Sequence, residues 1–70
     1  MLKSTLEKIK AKNMDVFTEI ERLHSNHTSC EQDADKEKVR AEIFGMLTGL
    51  KLAGFITEDE RRVLYYYTTA

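Results

Sequence analysis

Apolar residues recur at alternating steps of four and three along the first third of the chain, which is the spacing of a heptad repeat. Six of these positions are apolar and the seventh is an asparagine: Leu2, Leu6, Ile9, Asn13, Val16, Ile20 and Leu23. We call this set the N-terminal seam. Its period predicts one long helix over about residues 2–24, and Met14 and Phe17 widen the apolar face. The chain also has no proline and only three glycines, so the sequence favours an all-α fold.

Asn13 is the polar residue of the seam and occupies an a position of the heptad. A buried asparagine there sets the register of a parallel dimer by bonding its symmetry mate. The alternative is an asparagine at the edge of a bundle formed within one chain, where water satisfies the amide. The neighbouring e and g positions hold Lys10, Lys12, Phe17 and Glu19, which give no complementary charges across a parallel dimer. This favours the alternative, although the register pair stays open.

A polar connector over residues 24–30 separates the seam from a second helical segment. Two pairs there have the spacing of a capping box: Thr28 with Glu31, and Ser29 with Gln32. A start at Asp33 or Asp35 is also open. We predict a second helix over about residues 30–53, antiparallel to the first. Its large apolar stripe contains Val39, Ile43, Met46, Leu47 and Leu50.

The second helix also carries a row of small residues, each four apart: Ala41, Gly45, Gly49 and Ala53. A glycine inside a helix costs about 1 kcal/mol relative to alanine. A row of small residues allows the backbone of another helix to approach closely, so we predict close helix packing at this row. The alternative is that the glycines are merely tolerated, or leave room for a large side chain such as Phe17 or a tyrosine.

Gly54 is suited to end the second helix, because glycine readily adopts the left-handed conformation that follows many helices. Thr57 and Glu60 have capping-box spacing and predict a short third helix over about residues 58–67. The competing interpretation is a strand hairpin within residues 55–69, since three consecutive tyrosines have strand propensity. The turn of such a hairpin would lack glycine and asparagine, so the helix is favoured.

His24, His27 and Cys30 are the side chains with metal-ligand or nucleophile chemistry at close spacing. Imidazole and thiolate groups bind zinc, but the chain has no other histidine or cysteine to complete a site. Cys30 with His27 is the one candidate pair of nucleophile and base, and nothing in a polar connector excludes water from it. We therefore expect no catalytic site, no metal and no cofactor.

Charge and hydropathy argue against several classes of partner. The net charge is −1, from 11 basic and 12 acidic residues, so no strong attraction to nucleic acid or to an anionic membrane is expected. The longest apolar run is far shorter than the roughly 20 residues that span a bilayer. A single cysteine and the lack of an apolar signal-peptide core near the N-terminus predict a cytoplasmic location.

The C-terminal third supplies a second functional hypothesis. Residues 54–57 are followed by Arg61 and Arg62 and then by residues 65–67. This order resembles the end of a winged-helix recognition helix followed by its wing. The resemblance implies a DNA-binding transcriptional regulator in which the two arginines contact phosphate. It requires the hairpin, and the helix before it offers few exposed cations beyond Lys51, so this alternative is not favoured.

The sequence thus predicts one domain over residues 1–70, an antiparallel hairpin of two long helices followed by a short third helix. One hairpin has too little mass to bury the seam and both stripes of the second helix, so we expect a homodimer that forms a helical bundle. The expected function is a non-enzymatic protein–protein interaction or regulatory module, for instance an accessory protein of a mobile element. The expected interface residues are Leu6, Ile9, Asn13, Val16, Ile20, Ala41, Gly45, Gly49 and Ala53.

Overall fold

The computed structural model describes all 70 residues and contains four α-helices and no strand. The helices are α1 (Leu2–Lys12), α2 (Met14–Ser29), α3 (Asp33–Leu52) and α4 (Glu58–Thr68). Helix α4 contacts each of the other three, and α2 lies between α1 and α3 in the contact order. The prediction of an all-α fold is confirmed. The number of helices differs from the prediction, because the first predicted helix is two helices.

The break between α1 and α2 lies at Asn13. Its backbone is extended, with φ −158° and ψ 105°, and its side-chain oxygen accepts hydrogen bonds from the backbone N–H groups of Asp15 at 3.0 Å and Val16 at 3.2 Å. Asparagine is among the strongest N-cap residues, because its short side chain satisfies the free N–H groups of the first turn. The continuous helix over residues 2–24 is therefore wrong, and Asn13 is an exposed helix cap rather than a buried seam residue.

The predicted connector over residues 24–30 is also wrong, because α2 continues through it to Ser29. The hydroxyl of Thr28 donates to the carbonyl of His24 at 3.0 Å, so it caps nothing downstream. Helix α3 begins at Asp33 after a link of three residues, and its N-cap residue Gln32 makes no side-chain capping bond. The capping boxes predicted at residues 28–32 are absent, and Asp33 and Asp35 supply negative charge to the first turn instead.

The end of α3 and the start of α4 are set by hydrogen bonds within the link between them. Gly54 has φ 77°, the N–H of Gly54 donates to Lys51 O at 3.0 Å, and that of Phe55 donates to Leu50 O at 2.9 Å. These two bonds form a Schellman motif. Thr57 and Glu60 then form the predicted capping box, with bonds of 2.8 and 3.1 Å. The hairpin interpretation is wrong, and the wing of the winged-helix hypothesis is a helix.

The core draws on all four helices and on the α3–α4 link. Its seven buried apolar residues are Ile9, Ile20, Leu23, Ile43, Leu47, Ile56 and Leu64. Other members of the N-terminal seam, including Leu6 and Val16, are half-buried and pack against this cluster. The turn at Asn13 allows α1 and α2 to contribute to one core, so the apolar side chains of the seam pack within a single chain.

Candidate functional site

The row of small residues on α3 lies open on the surface. All four of its members are exposed, and a Cβ atom built on Gly45 or Gly49 would meet no atom within 4 Å. No helix of the same chain packs closely against the row, and no large side chain fills the space beside the glycines. The alternative in which the glycines leave room for a large side chain of this chain is therefore wrong. The predicted close approach of another helix is not made within the chain, and the space is open to another molecule.

Two large apolar side chains share the side of α3 that carries this row. Phe44 is 50% exposed and Leu52 is 75% exposed, although both are apolar. At about 100° per residue, six residues of the stretch from Ala41 to Leu52 fall within roughly 140° around the helix axis. We call them the α3 face: Ala41, Phe44, Gly45, Thr48, Gly49 and Leu52. The charged residues Glu42 and Lys51 lie at its edges, so the face itself carries no charge.

An aromatic groove adjoins the α3 face where α4 lies beside α3. The groove has a volume of about 340 Å³ and is lined by Phe44, Arg61, Arg62, Tyr65 and Tyr66. The ring of Tyr65 meets that of Phe44 edge-on, with centroids 6.0 Å apart and an interplanar angle of 89°. Tyr66 is 74% exposed. The groove therefore presents the side chains of Phe44 and Tyr66 to solvent next to the uncharged α3 face.

The two arginines proposed as phosphate contacts differ in their surroundings. The Nε atom of Arg61 donates to Glu58 at 2.6 Å, and the guanidinium lies 5.6 Å from the centre of the Phe44 ring. This hydrogen bond from Arg61 lowers the pKa of Glu58. The side chain of Arg62 is 66% exposed and lies 3.8 Å from the same carboxylate. Arg61 is thus held within the chain, whereas Arg62 extends from the rim of the groove.

Four of the five expected interface residues of the N-terminal seam lie on the inside of the molecule, and the fifth, Asn13, is the exposed cap of α2. Ile9 and Ile20 are at most 1% exposed, and Leu6 and Val16 pack against the core. These four side chains already have partners within the chain. Among the expected interface residues, only the small row on α3 combines exposure with open space above the helix.

The histidines and the cysteine near the end of α2 do not converge on a site. His27 is only 2% exposed, and its Nε2 atom accepts a hydrogen bond from Arg40 Nε at 3.2 Å, while Nδ1 has no partner. Burial, followed by the nearby charge of Arg40, lowers the pKa of His27. His24 instead packs against Tyr67, with ring centroids 4.3 Å apart and the ring planes tilted by 54°. No three His, Cys, Asp or Glu side chains are placed to hold a metal ion.

A more open depression of about 520 Å³ lies where α2 meets α3. Most of its lining is polar: Asn26, Ser29, Cys30, Glu31, Gln32, Asp35 and Val39. The lining residues are exposed or half-buried, and of them only Val39 packs against the core. This depression therefore lacks the buried, converging polar groups that mark a small-molecule site.

Comparison with known protein families, with curated proteins and with solved structures finds no match for this chain. None of the four helices combines the length and the apolar character needed to cross a bilayer. The candidate functional surfaces that the geometry offers are the α3 face and the aromatic groove. The spacing of the small residues indicated the α3 face from sequence alone. No sequence pattern indicated the groove, because the groove forms only when α4 packs beside α3.

Proposed function

We propose that this protein is a non-enzymatic protein–protein interaction module that works as a homodimer through the α3 face. The uncharged face with its two open glycines is the observation that supports this most strongly. Contiguous exposed apolar surface on a small soluble domain is typical of an interaction site. Here Phe44, Leu52 and Tyr66, three of the five large apolar residues that are exposed, lie on or beside that one face.

The glycines support contact with a backbone rather than with a flat surface alone. Each of them destabilises the isolated helix by about 1 kcal/mol relative to alanine. Within one chain nothing offsets this loss, because the space beside Gly45 and Gly49 is empty. A helix from a second molecule that approached this row would contact the α3 backbone directly, and the packing gained there would offset the loss.

The size of the core supports an assembly of more than one chain. Only seven apolar residues are buried in a chain of 70. A domain of this size buries only about 60% of the surface that its unfolded chain exposes, so it is marginally stable on its own. Fully burying a large apolar side chain contributes about 1.5–3 kcal/mol, so covering Leu52 would add most of that amount and covering the half-exposed Phe44 about half of it. Dimerisation is thus a source of stability that the single chain lacks.

The mass of the protein in solution tests this proposal. Light scattering after size-exclusion chromatography should give close to twice the chain mass of 8.1 kDa at micromolar concentration. Leu52→Glu places a charge on the uncharged face and should give the mass of one chain. Met14→Glu is the matched control, since Met14 is also exposed, at 54%, but belongs to α2 and not to the α3 face. A wild-type protein that stays monomeric and unfolds cooperatively would rule out the homodimer.

A further inference from the structure

The groove and the most exposed apolar side chain of the α3 face lie at opposite ends of that face. Leu52 is 75% exposed, and Phe44, which lines the groove, is eight residues earlier on the same helix. Eight residues correspond to about 12 Å along the helix axis. When two copies of a helix pair antiparallel about a two-fold axis, each residue faces the one at an equal distance on the other side of the axis. Leu52 faces Phe44 of the second copy if the axis passes beside Thr48.

The glycines give an independent estimate of where two such helices would cross. The midpoint between Gly45 and Gly49 is Leu47, one residue from the midpoint between Phe44 and Leu52. Helices cross most closely where side chains are small, so the glycines favour a crossing near this point. The place where α3 permits the closest approach is therefore also the place that brings Leu52 opposite the groove.

Charges on α4 distinguish an antiparallel pair from a parallel one. Helix α4 runs antiparallel to α3, because Glu58 lies 3.6 Å from Lys51 and Tyr65 packs on Phe44. On α4, Asp59 and Arg62 are exposed on one side, and Asp59 belongs to none of the ion pairs within the chain. Because Glu58 lies beside Lys51 and Tyr65 beside Phe44, and both helices rise equally per residue, the midpoint between Asp59 and Arg62 lies within about one residue of Thr48 along the helix axis.

This arrangement makes the surface complementary to itself. A two-fold axis beside Thr48 places Asp59 of one copy near Arg62 of the other, whereas in a parallel pair the two α4 helices lie on opposite sides of the α3 pair and these charges do not meet. Opposite charges across an interface favour the orientation that brings them together. We infer that two copies pair antiparallel through α3, with Leu52 of each copy seated in the aromatic groove of the other. This inference rests on the proposed homodimer and specifies its geometry.

Disulfide cross-linking tests the geometry separately from the existence of the dimer. In a Cys30→Ser background, Thr48→Cys places the new thiols beside the axis, whereas Ala41→Cys places them about 21 Å apart along the helix direction. A disulfide requires Cα atoms about 4.4–6.8 Å apart. Oxidation should therefore cross-link the Thr48→Cys protein almost completely and leave the Ala41→Cys protein uncross-linked. Both variants should scatter light as dimers under reducing conditions.

The outcomes separate the possible partners and orientations. Cross-linking of both variants would show a parallel dimer and overturn the inferred geometry, while the proposed function would stand. A dimer in which neither variant cross-links would show that two copies meet through a different surface. A wild-type monomer would overturn the proposed function, and the geometry with it.

A mixing experiment keeps the test decisive if the substitution at Thr48 disturbs packing. Asp59→Arg alone places two arginines opposite each other, and Arg62→Asp alone places two acids opposite each other. A mixture of the two variants restores both opposite-charge pairs, and the mixed dimer should bind about tenfold more tightly than either variant with itself. Equal affinities in all three samples would contradict the contact between Asp59 and Arg62.

Discussion

The N-terminal seam and the α3 face both have apolar residues at helical spacing, but only the seam is buried within the chain. Asn13 interrupts the seam between α1 and α2, and this turn allows Ile9 of α1 and Ile20 of α2 to lie in one core. The α3 face has no such break, and Gly45 and Gly49 remain open to solvent. The comparison shows that helical spacing of apolar and small residues identifies one side of a helix, and that this side is covered within the chain in one case and open in the other. The spacing alone does not show whether the covering group belongs to the same chain.

The largest expected effect comes from comparing a leucine inside the core with one on the α3 face. Leu47 is fully buried, so Leu47→Ala should lower the free energy of unfolding by about 2–5 kcal/mol or unfold the chain. Leu52 is mostly exposed, and Leu52→Ala should change that free energy by less than about 0.5 kcal/mol in the monomer. Unfolding by urea, at protein concentrations too low for dimers to form, measures the change in the free energy of unfolding for both variants. Equal losses would mean that Leu52 contributes to the core of the single chain.

A pH titration should probe the buried side of α2, because His27 is neutral and enclosed in the folded chain. Its pKa is lowered from the ordinary value of 6.5 by burial and by Arg40, with smaller contributions from Lys36 and His24. Below pH 6.5 the unfolded chain binds a proton that the folded chain does not. Stability should therefore be complete above that pH and fall as the pH decreases, by at most about 1.4 kcal/mol per pH unit.

Two variants assign this loss of stability. His27→Gln removes the titrating group and should flatten the dependence between about pH 7 and pH 5, where a histidine is the group that ordinarily titrates. His24→Gln is the control, since it keeps the buried His27, so the loss of stability below pH 6.5 should remain. The buried capping residue Glu60 also has a lowered pKa, mainly because it accepts a hydrogen bond from the Thr57 backbone. The stability that Glu60 contributes therefore decreases only below pH 4.5. A flat wild-type profile down to pH 5 would contradict the assignment to His27.

Asn13 should contribute to stability as a cap, a smaller effect than that of a core residue. Asn13→Ala removes the acceptor for the N–H groups of Asp15 and Val16 and should lower the free energy of unfolding by about 1 kcal/mol. Asn26→Ala is the matched control, because Asn26 is an exposed asparagine inside α2 and makes no hydrogen bond with its side chain. Equal effects of the two substitutions on unfolding by urea would show that the cap does not hold the turn between α1 and α2.

The smallest expected effect is a gain. Gly49→Ala should stabilise the monomer by about 0.4–1 kcal/mol, because alanine is the better helix former and open space surrounds the new methyl group. The same methyl group should weaken the dimer, since it enters the proposed contact between two backbones. Thr18→Ala, on the exposed side of α2, should stabilise without changing the dissociation constant of the dimer. If Gly49→Ala leaves that constant unchanged, no backbone approaches the row closely.

The parts of the fold that sequence could predict are those whose partners lie within a few residues. Gly54 and the Thr57–Glu60 box end α3 and begin α4 as expected, because each cap is completed locally. The break at Asn13 was harder to predict, since the heptad spacing continues in register on both sides of it. The available signal was the asparagine itself, followed two residues later by Asp15, which is a common order at a helix start.

The end of α2 and the aromatic groove depend on contacts that are distant in sequence. Residues 24–29 are polar and resemble a loop, but His27 is buried and bonded to Arg40 of α3, which explains why the helix continues. The groove requires Tyr65 of α4 to pack against Phe44 of α3. Helical spacing alone does not determine which sides of two helices meet, so the candidate site was only half predictable.

Concentration-dependent NMR tests most directly the claim that the seam is internal and that the α3 face meets a second copy. Amide chemical shifts of a ¹⁵N-labelled sample would be followed from millimolar to micromolar concentration. We expect the amides of Ala41, Gly45, Gly49 and Leu52 to shift on dilution, while those of Leu6 and Val16 stay constant. Shifts centred on Leu6 and Val16, or no shifts in a sample that remains monomeric, would contradict the account.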